Sequence, residues 1–456
     1  VSLRGGGSPR AAGAAERTLE RTLGLRDLGL IVVGAVIGSG IFIVPATVLR
    51  HAGGDAPLAI GIWAFGGILS LLGALTYGEL GALRPEAGGI YVFLREGFGP
   101  LPAFLYGWTL FFVIASGAIA TLATAFTGYL GELVPLSPLA GRIVALLMIA
   151  AVTAVNVAGT RGSASVQTWT TLFKVAALLV MSAALLAAGD PARLSARGSA
   201  GDFSAAVVLT GAGAAMIGVL WAYEGWQYTT SLAGEIVRPQ RTFPLGLAFG
   251  TAVLVLLYSF ANIGYIAALG AGEAALSQSV AATAVGVTFG PAAGRLVAVA
   301  ILVSIVSAAN AVVLTTPRVF YAMARDGVFF RALAEIHPSF GTPALAIVAT
   351  SLWAAVLAAT GTFEQLLTYV VFTGWLFYAL GAATLFVYRR RDPDAARPFR
   401  VPGYPITPAL FVVAAAAIVA NAMFTQTTRA LIGITVVLTG VPAYIVWRKR
   451  RPRPTR

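Results

Sequence analysis

The chain has 456 residues, 58% hydrophobic and 11% charged, with a mean hydropathy of +0.84 and a formal net charge of +13. A soluble domain carries roughly a quarter charged residues, so a water-soluble globular protein is excluded. There is no cysteine, which excludes disulfides, thiol nucleophiles and cysteine metal sites. The two histidines, His51 and His337, fall in predicted loops and no P-loop pattern occurs, so no metal, no cofactor and no ATP-driven engine is expected.

Apolar runs near 20 residues, long enough to cross about 30 Å of hydrocarbon, recur along the chain. They predict an all-α polytopic membrane protein of twelve spans, starting near Leu25, Leu58, Leu101, Ile143, Ser163, Val207, Phe243, Ala292, Pro343, Gln365, Pro408 and Ala430. Residues 1–24 are rich in Gly, Ala and Arg without an apolar core, so no cleavable signal peptide is expected. Within them begins RTLERTL (17–23), which reads as a short interfacial helix or as a frayed tail.

With the N-terminus inside, the cytoplasmic segments hold 24 Lys/Arg and the external ones 6, Lys174 lying within a span. This bias predicts a multi-pass protein of the cytoplasmic membrane with both ends cytoplasmic. The runs RRRDPDAARPFR and RKRRPRPTR are then topology signals touching anionic lipid, not nucleic-acid sites.

The first span carries GAVIGSGIF at 34–42, with Gly38, Ser39 and Gly40 at half depth, where a loosened helix finds no water. Splitting the chain after the fifth span makes the first span begin inside and the sixth outside, so two five-helix halves, 25–188 and 207–388, are inverted relative to one another. The sixth span carries LWAYEGWQY at 220–228, with Glu224 and Gly225 in mid-span. Interrupted helices at matching places of inverted halves point to a transporter's binding site. The second half of the first span starts with free N–H groups around Ser39, Gly40 and Ile41, which favour a carboxylate. The half that ends there frees the carbonyls of Val36 and Ile37, and the sixth span frees those around Trp221, Ala222 and Tyr223; these suit an ammonium. Donors for a carboxylate beside acceptors for an amine describe a receptor for an α-amino acid.

Several stretches carry a wider likeness: GAVIGSGIFIVP, LTYGELGALRPEAGGIYVFLREGFGPLPAFLYGW, LWAYEGWQYTTSLAGEIVRPQRTFPLGL, TTPRVFYAMARDGVFF and WLFYALGAATLFVYRRRDPDAARPFRVPGYP. In these the chain resembles the amino acid–polyamine–organocation superfamily, within it the L-type amino acid transporter branch, over roughly residues 25–445. The resemblance implies a LeuT-like fold, two inverted five-helix repeats with discontinuous first and sixth helices, plus two peripheral helices (408–447) and a basic tail (448–456). It implies that Gly38, Ser39 and Gly40 bind the substrate carboxylate, that Val36, Trp221 and Ala222 offer carbonyls to the amine, and that Trp221 closes over the substrate. Many animal L-type members have glycine where this chain has Glu224. They also use a cysteine between the third and fourth spans to tether a glycoprotein; TGYLGELVPLSPLAGR has none, so no disulfide-linked heavy subunit is expected and the chain is expected to work alone.

Lys174 lies about 11 residues into the fifth span, roughly 16 Å deep at 1.5 Å per residue. The chain has only one other lysine, Lys449, among its 31 basic residues, so a compact amine with a shiftable pKa is indicated there. By resemblance the matching lysine stands where sodium-coupled members of the fold bind Na⁺. Na⁺-independent transport is therefore expected, with the ammonium bracing the first span against the eighth near Ser304 or Ser307, either as a fixed tie or as a proton carrier. Glu224 reads in three ways: a helix cap, an acceptor for the substrate amine or a cationic side chain, or a proton carrier.

At the cytoplasmic ends, Glu79, Glu235, Arg241, Arg318 and Arg325 are gate charges or solvated pairs worth under about 1 kcal/mol each; a gate is expected for Glu235 alone. The side chain of the substrate is expected to meet ASGAIA of the third span, chiefly Ala115, Gly117 and Ala118, and by resemblance Phe372 and Trp375 of the tenth. Such an apolar wall favours neutral amino acids, moved by exchange or proton symport. The alternatives are a cationic amino acid or polyamine permease, for which Glu224 is the argument, and an amino acid sensor that does not transport. An enzyme is not expected, since Lys174 and Glu224 are the only mid-span ionisable residues.

Overall fold

A computed structural model describes residues 21–197 and 205–450. The predicted tails at 1–24 and 448–456 thus lie mostly outside the described residues. The described residues are helical, with one isolated parallel bridge, Leu23 to Ile236, and no strand. Leu23 is buried in that bridge, so the end of RTLERTL is extended backbone and not interfacial helix.

The first predicted span is two helices, α1 (Leu25–Val36) and α2 (Gly40–His51), bent by 46° across the break. Next come α3 (Ala56–Leu83), a short α4 (Ile90–Phe98), and α5 (Pro100–Leu133), which contains a π-helical turn at Leu110–Ile114. They are followed by α6 (Pro138–Val157), α7 (Thr160–Ala188) and α8 (Ala205–Ala222). Past α8 the chain does not resume as α-helix: Trp226–Glu235 is a 3₁₀ segment. Then follow α9 (Pro239–Leu269), the short α10 (Ala271–Leu276) and α11 (Val280–Phe289), and α12 (Pro291–Arg325). The last four helices are α13 (Ala344–Thr360), α14 (Phe363–Arg391), α15 (Ile406–Thr425) and α16 (Thr427–Arg450).

A helix covers eleven of the twelve predicted starts, and the twelfth, Pro343, immediately precedes α13. Among the described residues nine helices are long and apolar enough to cross a membrane, ten if the bent pair α1–α2 is one span. The chain is therefore a polytopic membrane protein. α4, α10 and α11 were not expected: their nine, six and ten residues fall below the length of a crossing, the only pattern the hydropathy reading sought.

Packing sorts the helices. α3 lies along α9, α1 runs beside α9 and α7, and α2 lies along α8. α5 packs on α12 and α13, and α13 also on α6. The two broken helices meet where glycine is required. A Cβ at Gly40 would strike the Ala222 backbone, and one at Gly225 would meet the Ala35 carbonyl at 2.7 Å. Gly225 also has φ 134°, a conformation that side chains disfavour. Each break thus carries a glycine that admits the other's backbone.

The ends of α1 and the 3₁₀ segment are tied as well. The N–H groups of Thr22 and Leu23 donate to the Glu235 carbonyl (2.9 and 3.0 Å), and Val237 N–H donates to the Leu23 carbonyl (2.9 Å).

Candidate functional site

An uninterrupted helix would pair Gly34, Ala35, Val36 and Ile37 carbonyls with the N–H groups four residues on. The bend at Gly38 and Ser39 leaves both sets over. The carbonyls are largely served by other helices. Lys174 Nζ, on α7, donates to Gly34 O and Ile37 O, both at 2.6 Å. Ser304 Oγ, on α12, donates to Ile37 O at 3.0 Å and Gly38 O at 3.4 Å, and Tyr258 OH, on α9, donates to Val36 O at 3.0 Å. Ala35 O receives no donor among the described residues, and neither do the N–H groups of Gly38, Ser39, Gly40 and Ile41 find an acceptor. Unpaired backbone groups inside a protein cost free energy, and three of the residues that carry them here, Gly38, Ser39 and Gly40, line a cavity.

Lys174 is 2% exposed and has no ion-pair partner among the described residues. Its expected neighbour Ser304 shares the Ile37 carbonyl with it. Ser307 lies elsewhere: it accepts from Thr170 Oγ1 at 2.8 Å and Gln167 Nε2 at 3.4 Å, because it sits three residues on, nearly a turn along α12.

The second break is organised differently. Glu224 Oε1 accepts from Gln227 Nε2 (2.5 Å), Tyr228 OH (2.8 Å) and, from α14, Tyr378 OH (2.6 Å). Oε2 is buried with no partner. Tyr77 OH in turn donates to the Tyr378 carbonyl at 2.8 Å.

Between the breaks lies a small cavity, lined by Ala35, Val36, Gly38, Ser39, Gly40, Ala118, Leu122, Trp221, Glu224, Tyr228, Ala308 and Val312. Seven of these are among the residues expected at the substrate site: Val36, Gly38, Ser39, Gly40, Ala118, Trp221 and Glu224. Trp221 donates its Nε1–H to Ser39 Oγ at 3.4 Å and meets Phe363 edge-on at 6.5 Å. Ile37, Ile41, Ala222 and Tyr223 border the breaks but do not line the cavity. Ile37 is engaged by Lys174, and Tyr223 packs on Trp63 and Tyr258.

The small residues of the third span divide by face. Ala118 lines the cavity, Gly117 faces a separate groove, and Ala115 is buried among neighbouring helices. Phe372 lies against the Gly433 position on α16, and Trp375 packs on Phe411 and Tyr378. Neither reaches the cavity, because their face of α14 meets α15 and α16.

Sequence reading missed Gln227, Tyr228, Tyr378 and Tyr258. The first two stand three and four residues after Glu224, a helical spacing that would have suggested contact. Tyr258 and Tyr378 come from distant segments and left no such signal.

The charged residues at the helix ends are more ordered than solvated pairs. Arg318 Nε donates to Glu235 Oε1 at 2.9 Å and its Nη2 to Thr160 Oγ1 at 3.1 Å, with both charged side chains under 5% exposed. Glu79 accepts from Arg389 through both oxygens (2.9 and 2.7 Å) and from Val401 N–H (2.6 Å). Arg241 is exposed, and Arg325 lies over the Tyr321 ring at 5.8 Å.

Paired broken helices around a cavity that Ser39, Trp221, Glu224 and Tyr228 help to line, in a chain of apolar helices, define the class of secondary membrane transporters. The particular family is settled by comparison: residues 23–445 match the amino acid permease family, and the chain belongs to it. It is 30% identical over 437 residues to the serine/threonine exchanger SteT of Bacillus subtilis, covering 95% of this chain and 98% of that one. It is 31% identical to the human cystine/glutamate transporter (97% and 89% covered) and 30% to the human b(0,+)-type amino acid transporter 1 (84% and 79%). The chain is thus a transport protein of the amino acid class and not an enzyme.

Proposed function

We propose that this protein is a Na⁺-independent secondary transporter that moves α-amino acids by alternating access, through twelve crossings arranged as two inverted five-helix repeats and two peripheral helices, with both termini cytoplasmic. One observation carries the reading. Gly38, Ser39 and Gly40, with unpaired N–H groups, and Glu224, with an unpaired Oε2, line the same cavity, a donor row for a carboxylate and an acceptor for an ammonium. The amine is assigned to Ala35 O and Glu224 Oε2, since Val36 and Ile37 carbonyls already hold Tyr258, Lys174 and Ser304. Trp221 is the outer cover, and the Glu235–Arg318 pair the inner closure. Lys174 supplies the positive charge at the first break, and its hold on two carbonyls needs no metal ion.

The substrates are neutral amino acids, read through Ala118, Leu122, Ala308 and Val312, whose small or aliphatic side chains line the cavity. A cationic amino acid or polyamine is the second reading, and the free carboxylate oxygen favours it. The substrates printed in the names of the relatives differ from one another, so none is carried over. Exchange with an internal amino acid and proton symport are separated by experiment. Purified protein in sodium-free liposomes, empty or preloaded with amino acids, is given labelled neutral and cationic amino acids. Uptake into loaded vesicles alone means exchange; uptake into empty vesicles that rises with an inward proton gradient means symport. Saturable binding without uptake in either would replace the transporter reading with a sensor.

A further inference from the structure

We infer that an anionic glycerophospholipid binds in a groove between α5, α13, α14 and α16, with its phosphate on Arg429. The groove is lined almost wholly by apolar and aromatic side chains, among them Phe112, Trp353, Leu357, Leu366 and Ile432. It is closed near one end where Trp108 Nε1–H donates to Thr439 Oγ1 at 3.1 Å. Arg429 lies at the other end. It precedes Ile432 and Gly433, both lining residues, by three and four positions on α16 and so shares their face. Its Nη1 donates to Thr368 Oγ1 at 3.2 Å and Gln426 Oε1 at 3.1 Å, which ties it to α14 beside the lining residue Tyr369. Nε and Nη2 have no partner among the described residues, and no carboxylate pairs with the guanidinium there.

An apolar slot ending in a half-engaged guanidinium matches an acyl chain attached to a phosphate. Arginine presents a planar fork to such an oxyanion. The orientation proposed above places Arg429 at the outer leaflet, and the leaflet rests on that reading; the binding itself does not. The groove also backs onto the candidate substrate site. Gly117 faces the groove and Ala118 the cavity, on the same helix.

The test is native mass spectrometry of the full chain in detergent, titrated with phosphatidylglycerol. Wild type is expected to retain one molecule, and more of it than of phosphatidylcholine. Arg429→Gln and Ile432→Trp, which fills the slot, should each lower retention about tenfold or more. Arg429→Lys should stay within about threefold of wild type, which separates lost charge from a misfolded variant. Arg390→Gln, an exposed arginine at the opposite end of α14, should change nothing. Unchanged retention in Arg429→Gln, an equal loss in Arg390→Gln, or full retention in Ile432→Trp would each overturn the site. No flux is measured, so a chain that fails to transport leaves this result standing.

Discussion

The two breaks look alike in sequence, each a small-residue interruption of an apolar span, yet they are stabilised in opposite ways. At the first, the freed carbonyls are held from outside, by Lys174 of α7, Ser304 of α12 and Tyr258 of α9. At the second, the one buried carboxylate is held mainly from within, by Gln227 and Tyr228 of its own segment, with Tyr378 alone reaching over from α14. A break held from outside changes its hydrogen bonds whenever the helices around it shift. One held from within keeps most of them and can move as a piece. The difference makes the first break depend on the packing of the surrounding helices and the second mostly on its own segment.

The contrast is most exposed at Lys174. Lys174→Ala bares the Gly34 carbonyl, an unsatisfied group costing about 1–3 kcal/mol, and takes one of two donors from Ile37 O, about 1 kcal/mol more. Liposome uptake should fall roughly a hundredfold or more, two powers of ten at about 1.4 kcal/mol each. Normal uptake by this variant would show that the first break does not depend on its neighbours. Breaking the buried closure is next. Arg318→Met leaves Glu235 buried and unpaired, a loss of about 3–5 kcal/mol when one partner of a buried pair is removed. A melting temperature equal to wild type would show that this pair does not hold the inner end.

Glu224→Gln keeps the shape of the second break and removes its charge. Uptake of neutral substrates should drop about tenfold, as for loss of a hydrogen bond to a charged group worth about 1.5–3 kcal/mol, and inhibition by cationic amino acids should weaken further. An unchanged substrate profile would reduce Glu224 to a local cap. Tyr378→Phe removes one donor of three from Oε1, and Ser304→Ala one of two from Ile37 O. Each should cost about 1 kcal/mol, a several-fold change in uptake. A larger loss in Tyr378→Phe than in Glu224→Gln would mean that the second break also hangs on its neighbours.

Much of the site was legible because it follows from chain-local facts. Apolar runs marked the spans, GSG and EG marked where helices fail, and a lone lysine at half depth announced itself by cost. The expectation that Val36 and Ile37 carbonyls await an amine did not allow for side chains that reach them first. Ser307 is expected beside Lys174 as an alternative to Ser304, yet its hydroxyl accepts from Thr170. Phe372 and Trp375 were placed at the pocket by resemblance, but their face of α14 meets α15 and α16.

Taken by itself, the sequence determined that the chain lives in a membrane, where its long apolar helices run and which of them must open, since these depend on hydropathy, length and backbone freedom within a few residues. Only the tertiary structure decided which freed groups remain free. Lys174 reaches Gly34 across 140 residues, and Tyr258 reaches Val36 across 222. A hydrogen bond needs its partners within about 3 Å, and that distance is set by how whole helices pack, a quantity no local pattern contains.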